Sequence, residues 1–167
     1  KIHTLARLMK TGLTVPEGFY VSTHAYHQHI QQGAIRSLID KGLRDSEPLD
    51  KPDAWLQQVR ESITSTPPEP QWIQTLCEFY KPLAGRAVAV RSSATMEDSA
   101  EHSFAGQHES FLGITDFESC VAAILKCWAS LWTPRAFAYR QKNHIEHAAA
   151  EMRSEEHTSE LQSPNTI

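Results

Sequence analysis

Hydrophobic and polar residues follow the period of short amphipathic helices along most of the chain. Glycines and prolines that stop such helices separate the periodic segments, and Asp116 and Thr133 are placed to cap the last two helices. Gly12, Gly33 and Gly42 are interpreted as stops. The pattern predicts helices over residues 2–11, 23–32, 34–41, 55–63, 72–80, 117–131 and 134–144.

Three short apolar runs have the length and composition of strands. The run Ala87-Val88-Ala89-Val90 has the composition of a buried strand. We therefore predict a chain of mixed α and β structure, of the α+β class. The predicted strands cover residues 19–22, 87–93 and 109–114.

Composition places the chain among ordinary globular proteins. Its 167 residues suit one domain or a piece of a larger one, with 40% hydrophobic and 22% charged residues. The net charge of −4 predicts no nucleic-acid partner, and no apolar run reaches membrane-span length. Three cysteines without C-x-x-C spacing predict a reducing compartment, the cytoplasm.

Small and hydroxyl residues follow the apolar run at 87–90 and form a candidate phosphate site. Arg91 leaves the predicted strand and is followed at once by Ser92, Ser93 and Thr95. A planar guanidinium binds two phosphate oxygens at once, and hydroxyls and backbone N–H groups can donate to others. The alternative for Arg91 is a salt bridge to a loop carboxylate, and the alternative for the hydroxyls is loop capping.

A second small-residue turn, Ser103-Phe104-Ala105-Gly106-Gln107, precedes the second strand-like run, which begins near Ser110. Gly106 lacks a side chain and lets the backbone approach a ligand, and Ser110 offers a hydroxyl. The alternative is a tight, hairpin-like turn. Two such loops beside neighbouring strands could cover the phosphates of a nucleotide.

These residues also carry a family resemblance. VAVRSSAT-x-ED followed by SFAGQ resembles the N-terminal ATP-binding domain shared by phosphoenolpyruvate synthase, pyruvate phosphate dikinase and rifampicin phosphotransferase. The opening KIHTLARLMKTGLTVPEGFYVSTHAY is similar to the start of that domain, and KCWASLWTPRAFAYR resembles the helix pair after its glycine loop. Three motifs in the same order make the resemblance specific.

The resemblance implies the N-terminal part of an ATP-grasp-like nucleotide-binding domain, incomplete, over residues 1–152. It implies nucleotide contacts from Lys1, which falls at the end of the family's Gly-Gly-Lys turn, and from Gly106 and Ser110. It also implies ATP with Mg²⁺ as the bound nucleotide. Glu97 and Asp98 could face that magnesium, but solvated loop carboxylates are the more frequent outcome, so no metal ligand is assigned.

The resemblance further implies a dikinase reaction. The β-phosphate of ATP would pass to a histidine on a downstream domain, with release of AMP and phosphate, and then to pyruvate or an antibiotic hydroxyl. No catalytic residue is assigned within this chain, which alone is expected to be inactive. The rival interpretation is a non-catalytic nucleotide-binding or scaffold domain that kept the fold.

The last residues, 153–167, differ from the rest. RSEEHTSELQS, Arg153 to Ser163, resembles the translation of a short-read sequencing adapter. We expect this tail to be a disordered artefact outside the domain, and we expect both ends to be truncated.

Three groups of side chains have both a chemical and a structural interpretation, and we favour the structural one in each. The three clustered histidines are expected to be solvated and not zinc ligands, the cysteine pair to be core, and the aromatic group to be core and not a base-stacking platform. The groups are His24, His27 and His29; Cys120 and Cys127; and Trp128, Trp132 and Phe137.

Overall fold

The computed structural model describes residues 7, 10–13, 16–44, 52–91 and 110–145 of the chain. In this part the polypeptide forms six α-helices, named α1 to α6, a short 3₁₀ turn and one β-hairpin. The predicted mixture of α and β structure is therefore confirmed. The elements in chain order are α1 Thr23–Ile30, α2 Ile35–Arg44, α3 Pro52–Ser65, α4 Pro70–Tyr80, the 3₁₀ turn Lys81–Leu83, β1 Val88–Arg91, β2 Ser110–Ile114, α5 Phe117–Ser130 and α6 Pro134–Lys142.

Predicted caps define the starts of the last two helices. The Asp116 side chain accepts a hydrogen bond from the Ser119 N–H at 2.7 Å, and the Thr133 hydroxyl accepts one from the Ala136 N–H at 3.3 Å. Pro134 occupies the first turn of α6, where its missing N–H costs nothing. Both caps are confirmed.

A first hydrophobic core joins α1, α2 and α3 to the end of α5 and to α6. The Trp132 indole N–H donates to the Tyr26 hydroxyl at 2.9 Å inside it. Edge-on aromatic contacts of Trp55 with Trp132 and Phe137 fill the space beside them, with ring centroids 5.9 and 5.6 Å apart. Its buried members are Tyr26, Ile30, Ile35, Ile39, Leu56, Val59, Ile63, Ala129, Trp132 and Phe137.

A second core lies beneath the hairpin, where β1 and β2 pack on α4 and α5. Half-buried Val88, Val90 and Phe111 face this core from the hairpin. Trp128, in the last turn of α5, contacts both cores. The buried members are Leu76, Tyr80, Ile114, Cys120, Ala123 and Ile124.

The hairpin is antiparallel and contains an irregularity in β2. Val88 pairs with Ile114, Val90 with Phe111 and Arg91 with Ser110, so one extra residue of β2 lies opposite the stretch between Val88 and Val90. Gly113, in this stretch, has φ of +71°, a conformation that glycine adopts without steric cost. The bulge turns both Phe111 and Ile114 toward the core, although they are three residues apart.

Three local predictions are wrong. Residues 19–22 form no strand, and Tyr20 forms an isolated bridge. Gly42 lies inside α2 and does not stop it. The run at 87–90 is half-buried and not buried, because only one face of β1 packs on the helices.

The remaining helix predictions agree in type and differ at the ends. Arg7 and Lys10 are helical, and the rest of the helix predicted over 2–11 lies outside or at the edge of the described residues. Helix α4 begins at Pro70, two residues before its predicted start, since proline is compatible with a first helical turn. Every helix in the described part of the chain is too short or too polar to cross a lipid bilayer.

Candidate functional site

Two of the predicted phosphate-binding residues lie side by side at the loop end of the hairpin, where the segment 92–109 connects the two strands. Arg91 is the last residue of β1, and Ser110, the first residue of β2, is its direct partner across the ladder. Paired residues of an antiparallel ladder direct their side chains to the same face, at a Cα separation of about 4.5–5.5 Å. The pairing therefore brings a guanidinium and a hydroxyl together although they are 19 positions apart in sequence.

The face that carries this pair is the one turned away from the helices. Val90 and Phe111, the next pair along the ladder, face the second core, while Arg91 and Ser110 are exposed. Packing of the neighbouring pair thus orients Arg91 and Ser110 outward. The backbone position of Arg91 is held by burial of its neighbours and not by its own side chain.

Arg91 is available for a ligand within the described part of the chain. None of residues 16–44, 52–91 and 110–145 forms an ion pair with it. The loop carboxylates of the salt-bridge alternative, Glu97 and Asp98, lie outside the described residues, so that alternative stays open. An exposed guanidinium beside a hydroxyl can bind an anion through charge-assisted N–H donors and one O–H donor.

This donor set fits a polyphosphate. The guanidinium provides two parallel N–H donors, which match two oxygens of one phosphate group, and the Ser110 hydroxyl can donate to a third oxygen. A Cβ atom at Gly113 would meet nothing within 4 Å, so there is open space beside the bulge, and the neighbouring Leu112 side chain of β2 is 75% exposed. The other predicted contacts, Lys1, Ser92, Ser93, Thr95 and Gly106, lie outside the described residues.

Two further cationic side chains lie near the hairpin, and they have different partners. Arg86, just before β1, forms an exposed ion pair with Glu17 at 2.6 Å. The Lys126 ammonium of α5 lies 5.8 Å from the centre of the Phe111 ring, a cation–π contact. Sequence reasoning missed Lys126 because its nearness to the hairpin depends on how α5 packs against β2.

The clustered histidines differ in environment. His24 is exposed, and His27 is half-buried. His29 is only 2% exposed, so the expectation that it is solvated is wrong. Its Nε2 lies 2.9 Å from the Ile63 carbonyl oxygen, and burial lowers the pKa of His29, an effect that this hydrogen bond partly opposes.

The cysteines and the aromatic group are core, as predicted. Cys120 and Cys127 are buried thiols that form no disulfide, and burial raises the pKa of Cys120, which keeps it protonated. Trp132 and Phe137 are each 2% exposed, and Trp128 packs against both cores. The described residues include no group of three or more histidine, cysteine or acidic side chains able to hold a metal ion.

An apolar groove in the described part of the chain is separate from the Arg91–Ser110 pair. It is an open, apolar groove of about 470 Å³ where α5 meets Thr64 of α3 and Ile73 of α4. Its wall on α5 includes Phe117, Val121 and Leu125. Neither Arg91 nor Ser110 lines it, and its apolar surface offers little to a charged phosphate, so we place the candidate site at the hairpin.

Comparison with known proteins identifies relatives over most of the chain. The family described as pyruvate phosphate dikinase, AMP/ATP-binding domain, matches residues 1–154. Phosphoenolpyruvate synthase of Aeropyrum pernix is 34% identical over 157 residues, covering 89% of this chain and 19% of the relative.

Two more relatives carry the names of two different enzymes. Phosphoenolpyruvate synthase of Synechocystis is 37% identical over 160 residues, covering 87% of this chain and 19% of the relative. Rifampicin phosphotransferase of Bacillus cereus is 37% identical over 139 residues, covering 81% of this chain and 16% of the relative. The chain thus spans about a fifth of the length of the curated relatives that it matches.

Proposed function

Because the chain belongs to the pyruvate phosphate dikinase AMP/ATP-binding domain family, we propose that it is the ATP-binding portion of a dikinase-type phosphotransferase. The observation that carries the proposal is the pairing of Arg91 with Ser110 at the loop end of the hairpin. This pairing provides the convergent donors that a polyphosphate requires. The fold proposed for the whole domain is ATP-grasp-like, with residues 1–152 forming its incomplete N-terminal part and 153–167 a tail outside it.

Within this proposal Arg91 binds two oxygens of a phosphate and Ser110 donates to a neighbouring oxygen. Lys1, Ser92, Ser93, Thr95 and Gly106 complete the phosphate contacts. ATP is bound with Mg²⁺, which neutralises part of the phosphate charge, and no residue of this chain is assigned as its ligand. A fixed guanidinium stabilises negative charge that grows on the phosphate as the bond to the leaving group breaks.

The proposed overall reaction transfers a phosphate from ATP through a phosphohistidine on another domain of the full-length protein. AMP and phosphate are released, and the acceptor is pyruvate or an antibiotic hydroxyl. The relatives named above include both a phosphoenolpyruvate synthase and a rifampicin phosphotransferase, so both acceptors remain in the proposal. The chain alone is proposed to be inactive, and the three cysteines, which form no disulfide, support a cytoplasmic location.

The test is ATP binding by the purified chain, measured by isothermal titration calorimetry with Mg²⁺ present. Arg91→Ala should weaken binding by roughly 10- to 150-fold, since a hydrogen bond to a charged group contributes about 1.5–3 kcal/mol. Ser110→Ala should weaken binding less, because it removes one neutral donor. Adenosine, which has no phosphates, should bind wild type and Arg91→Ala equally.

Arg86→Ala is the matched control. Arg86 is also an exposed arginine next to β1, but its guanidinium is paired with Glu17. The control should bind ATP as wild type does, and circular dichroism should show that all variants are folded. A folded wild-type chain that binds no ATP would refute the proposal and support the rival scaffold function. Equal losses in Arg91→Ala and Arg86→Ala would indicate a general charge effect and remove the Arg91 site.

A further inference from the structure

A buried histidine in α1 has one ring nitrogen bonded and the other facing a cavity. His29 is 2% exposed, and its Nε2 lies 2.9 Å from the Ile63 carbonyl oxygen. A carbonyl oxygen only accepts hydrogen bonds, so Nε2 must carry the hydrogen and donate it. In a neutral ring Nδ1 is then an acceptor, and it has no hydrogen-bond partner among the described residues.

A complementary group lies nearby on α4. The indole Nε1–H of Trp72 is a buried donor, also without a hydrogen-bond partner in the described part of the chain. An indole N–H can only donate, and the free His29 nitrogen can only accept. The two groups therefore have opposite unmet requirements.

Both residues line the same small cavity between α1 and α4. The polar residues Gln28, Gln32 and Glu69 also line it, as does Trp128. The cavity has a volume of about 10 Å³, which is about the lower limit for holding one water molecule. Apolar cavities of this size stay empty, whereas cavities lined by several polar groups hold ordered water.

The Trp128 ring contacts both residues. Its ring packs against His29 with centroids 5.2 Å apart and against Trp72 with centroids 5.5 Å apart. Both side chains are held by this contact, so neither can turn toward solvent without losing buried aromatic surface.

We propose that this cavity is a binding site for one structural water molecule, which accepts from Trp72 Nε1–H and donates to His29 Nδ1. Its second hydrogen and second lone pair are directed to the polar wall, where Gln28, Gln32 and Glu69 offer donors and acceptors. Each buried polar atom then has a partner, as buried polar groups in folded proteins generally do. This proposal is independent of the ATP-binding function.

The water links three elements at the boundary of the two cores. His29 belongs to α1, its carbonyl partner Ile63 to α3, and Trp72 to α4. The water site also makes the contact between α1 and α4 sensitive to protonation. An added proton turns His29 Nδ1 from a hydrogen-bond acceptor into a donor. Glu69 is the one ionisable side chain among the described residues that line the cavity besides His29 itself.

Nuclear magnetic resonance on the ¹⁵N-labelled chain tests the site. The Trp72 indole N–H should show a nuclear Overhauser effect to a long-lived water, with the sign of a molecule that tumbles with the protein. Its resonance is assigned by its loss in Trp72→Phe, which keeps a ring in place. The matched control is Trp55, whose indole N–H donates directly to the Leu38 carbonyl at 3.0 Å and should show no such effect.

Two further measurements make the test specific. The ¹⁵N shifts of the His29 ring should report the Nε2–H tautomer at neutral pH. Ala25→Val adds two methyl groups at the cavity wall and should abolish the Trp72 water signal. A Trp72 signal no stronger than that of Trp55, an Nδ1–H tautomer, or an unchanged signal in folded Ala25→Val would each overturn the proposal. If Ala25→Val does not fold, the Trp72 and Trp55 water signals and the His29 tautomer of the wild-type chain still test the proposal.

Discussion

Replacing Gly42 by alanine should stabilise α2 through helix propensity and destabilise the protein through steric overlap. We expect the overlap to have the larger effect. Gly42 lies inside α2, where an exposed alanine would stabilise the helix. A Cβ atom at this position would overlap the indole ring of Trp55, at Cε2 and Nε1. The glycine is therefore required by the neighbouring helix α3 and not by its own backbone.

The expected cost follows from what holds Trp55 in place. Its indole N–H donates to the Leu38 carbonyl at 3.0 Å, and its ring packs edge-on against Trp132 and Phe137. Overpacking a core typically costs about 1–3 kcal/mol, and losing this hydrogen bond adds about 0.5–1.5 kcal/mol. Alanine regains at most about 1 kcal/mol of helix propensity, so the free energy of unfolding should fall by about 1–3 kcal/mol.

Urea unfolding followed by circular dichroism measures this difference. The decisive control is the same substitution in a Trp55→Ala background, where the overlap is gone. There Gly42→Ala should raise the free energy of unfolding, by up to about 1 kcal/mol, relative to Trp55→Ala alone. A stabilising Gly42→Ala in the wild-type background, or an equal loss in both backgrounds, would refute the packing argument.

Three other predictions concern the site, the buried histidine and a helix cap. In a full-length enzyme containing this domain, Arg91→Ala should lower ATP-dependent AMP release by about 10²- to 10³-fold, with partial rescue by Arg91→Lys, and near-wild-type turnover in a folded variant would leave the arginine a structural role. The native pKa of His29 lies below its ordinary value of 6.5, so the unfolded chain binds more protons; stability should be complete above about pH 6.5 and fall as the pH decreases toward the native pKa. Urea midpoints measured between pH 8 and 5 report this loss of stability. If the midpoint depended on pH in His29→Gln as it does in wild type, the pH dependence would not come from His29. Thr133→Ala should remove the α6 cap, lower the free energy of unfolding by about 1 kcal/mol and lower the melting temperature by about 2–4 °C. Thr133→Ser should retain wild-type stability, and equal melting temperatures of wild type and both variants would argue against the cap.

Helices and their caps could be predicted from the sequence because their signals are local. The Asp116 and Thr133 side chains reach N–H groups only three residues ahead, so the residues that make each cap are neighbours in the chain. The buried stripe of α5 likewise follows from apolar residues at helical spacing. The family could be predicted too, since its motifs are short and ordered.

Features that depend on two distant segments could not be predicted. Gly42 has the sequence signature of a helix stop, and only the approach of Trp55 from α3 shows why a glycine stands there. His29 resembles its solvated neighbour His24 in sequence, and its burial follows from the packing of α1 against α3 and α5.

The candidate site divides along the same line. Local residue patterns were enough to predict that Arg91 ends one strand and that Ser110 begins another. The pairing of the two residues, their orientation away from the helices and the bulge at Gly113 that turns both Phe111 and Ile114 inward come from long-range packing. Strand register is set by which side chains the core can bury, and a shift of one residue reverses every face, so neither strand alone fixes which side chains point outward.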